Sequence, residues 1–434
     1  MILNDLAEVV YAPQRAFKRI VANPKYLGAI IVLILFIALA VGYEYSQFSK
    51  TNTEQTLPTI DQLYTLNNAT YTVNGQQVWR SSNNVAITNN FDDFYNYSMY
   101  VAGFGLAPTD SNAYYRAFGN NSLQMVANNT NSLTAALGNA FNVDCTPGNF
   151  ENLTLILKQV QPSVAPQNAT LTLYSLSDTN FYTYDLTSQF SNVATIGQWN
   201  NITLSLGPNY EKSWVSSGNP TWQNITALTL TLNYGSNQDI TLRVGGVFFH
   251  GQYLTPVQYN STGILLQFLQ LFSLQFLFCW FILTGLIYLV CRGLKGTVTW
   301  KPLFVALGFA MVVMAIRMAI NLIATLAMPT VYYSYDLSLG VRFDPTVALY
   351  YPPDAATTLS AQSQALLTSI NSSTSLFHGI VTVMGAISYV WLGILAAFSL
   401  KALKPEWSTI KCLAIAAIGL VITVLLLLFL VGSF

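Results

Sequence analysis

Ten Asn-x-Ser/Thr acceptor sequences occur in this 434-residue chain, and all ten fall on one side of its apolar runs. Asn68, Asn96, Asn120, Asn128, Asn152, Asn168, Asn201, Asn224 and Asn260 lie between the first and second runs, and Asn371 lies between the third and fourth. N-glycosylation needs an exposed Asn on the translocated side of a membrane. The arrangement therefore constrains topology before any fold is known: a large outer domain on a polytopic anchor is expected.

Five runs are apolar enough to cross a bilayer, which takes roughly 17–25 residues: Leu27–Tyr43, Gly263–Val290, Leu303–Met328, Gly379–Leu400 and Cys412–Val431. Mean hydropathy of +0.41 and 8% charged residues agree with the membrane class. Arg15, Lys18, Arg19, Lys25, Arg292, Lys295, Lys301, Lys401, Lys404 and Lys411 lie in short segments on the side without acceptors. Such basic loops stay in the cytoplasm. The expectation is a multi-pass plasma-membrane protein with its N-terminus inside and its C-terminus outside. Residues 1–26 read as a cytoplasmic amphipathic segment, with Leu3, Leu6, Val10, Phe17 and Ile20 at helical spacing and a helix start at Pro13. Ala38-Leu39-Ala40 has the form of a signal-peptidase site, but Asp5, Glu8, Pro13 and Pro24 upstream are unlike a short basic leader.

Pro13, Phe17, Arg19, Asn23 and Pro24, followed directly by the first apolar run, resemble the start of prokaryotic YIP-type membrane domains. The likeness covers about 45 residues and implies a five-span anchor with a cytoplasmic N-terminus. The Asp-Leu-Tyr-Gly-Pro motif of eukaryotic relatives is absent, and the long insertion after the first span departs from the pattern. The resemblance implies an anchor type and no mechanism.

Residues 44–262, with a core at about 85–253, read as an extracellular antiparallel β-sandwich. Segments such as Asn152–Val160, Ala169–Leu176 and Ala227–Gly235 alternate apolar residues with Thr or Asn, which is the period of a half-buried strand. Regular turns without long helices favour a sandwich over other layered folds. Trp199 before a strand, Trp222-Gln-Asn-Ile-Thr entering the next, and Arg243-Val-Gly-Gly-Val-Phe-Phe at the end resemble galactose-binding-like jelly rolls of carbohydrate-binding modules. That resemblance implies a sugar ligand and a structural calcium, for which Asp92 and Asp93 are the candidates. Trp199 and Trp222 are expected in the core, and Trp214, in a loop-like stretch, is the candidate for stacking on a sugar ring. The fold class is thus an α+β membrane protein: a five-helix transmembrane bundle, a jelly-roll ectodomain, and a second outer loop over residues 329–378.

From Glu44 to Thr262 six Lys/Arg face twelve Asp/Glu, which argues against a nucleic-acid partner. Cys145 is alone in this segment, so it has no disulfide framework. No Gly-rich phosphate loop, H-E-x-x-H or G-x-S-x-G is present, and His250 reads as structural. Arg317, with Asn321 one turn on, stands inside the third run, where a charge is expensive and marks a site or a buried structural role. The expected protein is non-enzymatic. It would display a glycosylated sandwich that binds surface glycans or an envelope protein. An accessory subunit of a membrane complex, or a transporter, are the alternatives. Low charge and dense acceptor sites fit a hot or acidic exterior, as in archaea.

Overall fold

The computed structural model describes residues 2–81, 85–95, 98–100, 114–116, 118–191, 195–335, 343–344, 349–350 and 361–431. Asn96 and residues 336–342, 345–348 and 351–360 of the second outer loop lie outside the described residues. Two compact units emerge. One is Met1–Asn52 with Thr255–Val331 and Leu367–Phe434; the other is Thr53–Leu254 with Tyr332–Leu366.

The first unit is helical: α1 (Ile2–Tyr11), α2 (Pro13–Ala22), α3 (Tyr26–Ser49), α4 (Pro256–Gly293), α5 (Trp300–Ala310), α6 (Val312–Ala327), α7 (Ala361–Leu403) and α8 (Thr409–Val431). Among the described residues, five helical stretches, with α5 and α6 counted together, are long and apolar enough to cross a membrane. Pro13 opens α2, where its missing N–H loses nothing. Ala16, Phe17 and Ile20 are buried, while Arg19 donates to Asp5 at 2.7 Å and to Glu8 at 2.8 Å. Three helices run past the expected apolar runs by six residues or more at one end. Helix α3 continues to Ser49, six residues past the expected run, and so carries Glu44. Helix α4 starts at Pro256 behind a Thr255–Gln258 capping box, then breaks helical geometry at Asn260. The Asn260 Oδ1 accepts from Gly263 N, restarting the helix where the apolar run begins. The third consequence is length: 43 residues in α7 correspond to about 64 Å at 1.5 Å per residue, twice the ~30 Å hydrocarbon core of a bilayer.

The third stretch, Trp300–Ala327, is 83% buried against 33–39% for the other four, so it is the centre of the helical unit. Glycines let it be approached closely. A methyl on Gly28 would stand 1.9 Å from Phe309 Cζ, and one on Gly308 would stand 2.5 Å from both Ala29 Cβ and Trp280 Cζ2. Gly285 has no atom within 4 Å of that position. Gly28→Val is therefore expected to destabilise the unit by about 1–3 kcal/mol through overpacking. Gly285→Ala should be neutral or slightly stabilising. Thermal midpoints of the full chain in detergent would separate the two.

The second unit is a large antiparallel sheet of eleven strands. They are β1 (Thr51–Leu57), β2 (Trp79–Ser81), β3 (Val85–Asn90), β4 (Ser122–Val143), β5 (Asn152–Gln161), β6 (Asn168–Ser175), β7 (Ser177–Asp185), β8 (Asn200–Ser205), β9 (Val215–Ser217), β10 (Ile225–Leu254) and β11 (Val331–Tyr333). The long strands β4 and β10 form a ribbon whose register breaks between Asn233 and Gln238. Neighbours change at the same level. Strand β10 pairs with β6 before the break and with β5 after it, and β4 pairs with β2 on one side and β3 on the other. The ribbon thus carries two half-sheets, β9-β7-β6-β10-β4-β2 and β8-β5-β10-β4-β3.

Both halves supply one apolar core. Leu123, Met125, Leu133, Leu137, Leu153, Leu155, Leu157, Leu171, Leu173, Leu228, Leu230 and Leu242 are buried in a single cluster. Their alternation is the period-two pattern of the sequence, with the Thr and Asn phase turned away. The second half-sheet is covered on its other face as well. There Leu63, Phe118, Ile156 and Phe248 form a smaller cluster with Tyr95, Trp199 and Tyr335 against it. That second layer explains the uninterrupted burial from Val244 to His250, where the sequence pattern no longer alternates.

Candidate binding face of the sheet domain

The first half-sheet turns its Thr phase outward, and the strand registers lay that phase out in rows. Ser217, Phe181, Tyr174, Ala227 and Gly138 form one row across β9, β7, β6, β10 and β4. Val215, Thr183, Thr172, Thr229, Ala136 and Arg80 form the next. Asp185, Thr170, Thr231 and Thr134 form a third. Only Asp185 and Arg80 among them carry a charge at neutral pH, and they stand at opposite margins. Thr134 and Thr231 meet at 3.4 Å between hydroxyls.

One end of this face has relief. Tyr174 and Phe181 pack edge to face with ring centroids 5.9 Å apart, and Val215 beside them is 72% exposed. Across the sheet the rings give way to Ala227 and Gly138, where an added methyl would only touch Ala227 Cβ at 3.7 Å. Strands lie about 4.8 Å apart, so within two strands a ring wall drops to backbone level. The result is an aromatic step beside a floor of hydroxyls, uncharged and half-buried. In the sequence the Trp residues stand out and this face does not. The period of Ala169–Ser175 places Thr170, Thr172 and Tyr174 on one face, and that signal was available.

The Trp candidates lie elsewhere. Trp214, expected as a stacking platform, is 5% exposed. Its ring meets Trp222 at 5.6 Å and Tyr184 at 5.0 Å, and its Nε1 donates to Ser205 O. A ring covered by its own core cannot receive a sugar, and the expectation for Trp214 is corrected accordingly. Trp222 stacks on Tyr182 at 3.9 Å, and Trp79 donates to Leu66 O, both inside the core. Burial, then Glu211, pushes the Tyr182 hydroxyl up to about 12, and it donates to Pro220 O.

Asp93 is also committed, though not to calcium. Its Oδ2 accepts from Lys158 Nζ at 2.7 Å and Arg243 Nη1 at 2.6 Å, and its Oδ1 accepts from Trp199 Nε1 at 3.1 Å. Two protein cations on one carboxylate disfavour a divalent ion at the same oxygens, and Asp92 alone is an exposed single ligand. Burial raises the Asp93 carboxyl, but hydrogen bonds from Lys158, Arg243 and Trp199 outweigh it, leaving the group below its ordinary value. A depressed folded value means the contribution is fully present above the ordinary Asp range and is lost as pH falls through the lower folded value. Acid should therefore loosen the Asp93–Trp199 corner below about pH 4, seen as a change in Trp fluorescence. Asp93→Asn should remove that transition.

Of the acceptor residues, Asn120, Asn128, Asn168, Asn201, Asn260 and Asn371 are exposed, whereas Asn68, Asn152 and Asn224 are half-buried. Asn168 stands opposite Asn233 at one rim of the candidate face, and none lies within its three rows. Arg317 and Asn321 are buried in α6. Cys145 is buried, and burial pushes its thiol upward, which makes it an inert core residue.

No family model matches the chain, and no curated protein matches it. Among solved structures, 46% of the chain is similar to 95% of a family 11 carbohydrate-binding module from Clostridium thermocellum in complex with a mixed-linked tetrasaccharide, at 11% identity and a TM-score of 0.25. A further 12% identity and TM-score of 0.25 relate 43% of the chain to 60% of a carbohydrate-binding module of the β-sandwich superfamily. An exo-β-agarase is matched over 40% of this chain and 24% of that one, at 9% identity and a TM-score of 0.28. At such scores these likenesses carry no part of the functional reading.

Proposed function

We propose that this is a non-enzymatic, five-span membrane protein of the cell surface whose outer domain, a jelly-roll-type sandwich, binds uncharged carbohydrate through the Tyr174–Phe181 step. The observation that carries the reading is the composition of one face. Neutral sugars present hydroxyls at their edges and apolar C–H faces, and the three rows offer Thr hydroxyls beside an aromatic wall with no charge between the margins. Pockets for such ligands combine apolar surface with a few placed polar groups. The acceptor sequences support the same orientation, since none stands inside the face and a glycan on Asn168 would edge it without covering it. A YIP-like anchor remains the reading of the helical unit, supported by the entry motif and the five apolar helices.

The test uses the full chain in phosphatidylcholine nanodiscs on an array holding neutral, acidic and basic glycans. Binding to a neutral subset is expected. Preference for charged glycans, or no binding at all, would set the reading aside. Membrane residence is tested separately by carbonate extraction, after which the chain should stay with the membrane pellet.

A further inference from the structure

The geometry points to a binding site for an oxyanion inside the helical unit, built by Arg317 of α6 and Tyr389 of α7, with Asn321 one turn on from Arg317. Arg317 is 8% exposed and Asn321 is 1% exposed, in the most deeply buried helical stretch of the chain. The Arg317 guanidinium lies 5.8 Å from the Tyr389 ring centroid, and its Nη2 would stand 3.5 Å from a methyl on Gly385, one turn before Tyr389 on α7. Two donors of this cluster, the Arg317 Nε–H and the Tyr389 O–H, meet no acceptor among the described residues, and the Asn321 Oδ1 acceptor meets no donor. No carboxylate among the described residues forms an ion pair with Arg317. Glu44, the acid carried by α3, has an unpartnered Oε2 of its own and makes no such contact.

A buried charge without a counter-charge is strongly destabilising, and a buried donor without an acceptor adds to that. Proteins keep such groups where something completes them. The donors here are an N–H of a guanidinium and a phenolic O–H, which together suit one anionic oxygen. Arg favours carboxylate and phosphate geometry over a bare ion. Arg317 and Asn321 are both under a tenth exposed within one chain, which suits a small anionic group better than a side chain reaching in from a partner subunit. Arg317 is ten residues from the Ala327 end of α6, or about 15 Å at 1.5 Å per residue, which is close to the middle of a ~30 Å hydrocarbon core. Two sources share this chemistry: the phosphate of an anionic lipid and a small soluble oxyanion. The inference rests on the helical unit being membrane-embedded, which carbonate extraction tests independently.

The experiment measures the thermal midpoint of the full chain in two arms. One arm compares sodium phosphate and sodium acetate with sodium chloride at matched ionic strength in a non-ionic detergent. The other compares nanodiscs of phosphatidylcholine alone with nanodiscs containing phosphatidylglycerol. Saturation of a site at 100 times its Kd stabilises by about 2.7 kcal/mol, so a midpoint rise of several degrees is expected in one arm, and the responding arm identifies the source. Arg317→Gln should abolish the rise, and Tyr389→Phe should shrink it while leaving the protein folded. The inference is overturned if the wild-type midpoint moves in neither arm, or if Arg317→Gln responds as the wild type does. It is also overturned if native mass spectrometry shows a dimer that Arg317→Gln dissolves, because a partner then supplies the counter-charge. Should Arg317→Gln fail to fold, the wild-type response and Tyr389→Phe decide.

Discussion

Glu54→Ala is expected to destabilise the sheet domain by about 2–6 kcal/mol, the cost of leaving two buried donors without their acceptor at about 1–3 kcal/mol each. The His250 Nδ1 donates to Glu54 Oε1 at 2.7 Å, with both side chains under a tenth exposed. On its other side His250 Nε2 meets Thr154 Oγ1 at 3.0 Å, which meets Thr203 Oγ1 at 2.9 Å. The second oxygen of Glu54 accepts from Tyr335 N at 2.8 Å. The Tyr335 ring covers the imidazole at 4.6 Å. One carboxylate therefore ties β1, β10, β5 and the segment after β11 together. Removing it leaves an imidazole nitrogen and a backbone N–H without acceptors in an apolar layer. The double substitution Glu54→Leu with His250→Leu should recover much of the loss, since buried pairs are replaceable by apolar groups of similar volume. Hydrogen exchange of β1 and β10 amides in the full chain reads both. A single substitution that costs under about 1 kcal/mol would mean that the network is not closed as described.

Tyr174→Ala and Phe181→Ala give the largest expected effect on binding. Each should weaken carbohydrate affinity at least tenfold, which corresponds to about 1.4 kcal/mol, in line with aromatic side chains dominating interface energies. Stability should move far less. Both rings are half-buried on the outward face, and surface changes usually stay near ±0.5 kcal/mol, with the lost ring–ring contact adding about 0.5–1.5. Trp214→Phe offers the opposite profile. It removes a core ring and the Nε1 bond to Ser205 O, so it should lower stability and leave affinity unchanged in the surviving folded fraction. A binding loss for Trp214→Phe larger than for Tyr174→Ala would relocate the site.

Much of this molecule was legible in sequence where a periodic pattern is read out by a single environment. The alternation in Ala169–Ser175 gave strands because one face meets core and the other does not. The apolar runs gave helices because nothing polar interrupts them. Legibility failed where two environments act on one stretch. Val244–His250 is buried on both faces, so its alternation vanishes, and His250 looked like an isolated residue with no visible partner. That partner, Glu54, is 196 positions away, and no local spacing links the two. Trp214 was misplaced because a loop-like sequence conceals a ring tucked under the sheet. Hydropathy ends at Tyr43, whereas the backbone continues helical to Ser49, so the apolar run alone does not show where the helix stops. The binding face was missed for a different reason. Thr, Ala and Gly are unremarkable singly, and only the register puts them in rows beside Tyr174 and Phe181.

The central claim is that the uncharged face is where ligand binds, and a carbohydrate placed on that face by covalent attachment tests it most directly. Thr229→Asn makes positions 229–231 an acceptor sequence in the middle of the second row, on the central strand, with every natural acceptor left intact. The matched control is Thr229→Gln, which changes the same residue and adds no acceptor. Both variants and the wild type would be produced in a glycosylating host, reconstituted in nanodiscs, and titrated with the neutral glycan selected on the array. The structure predicts that Thr229→Gln binds within a few-fold of wild type and that glycosylated Thr229→Asn does not bind, while enzymatic removal of its glycan restores affinity. Equal binding by glycosylated Thr229→Asn and wild type would contradict the account.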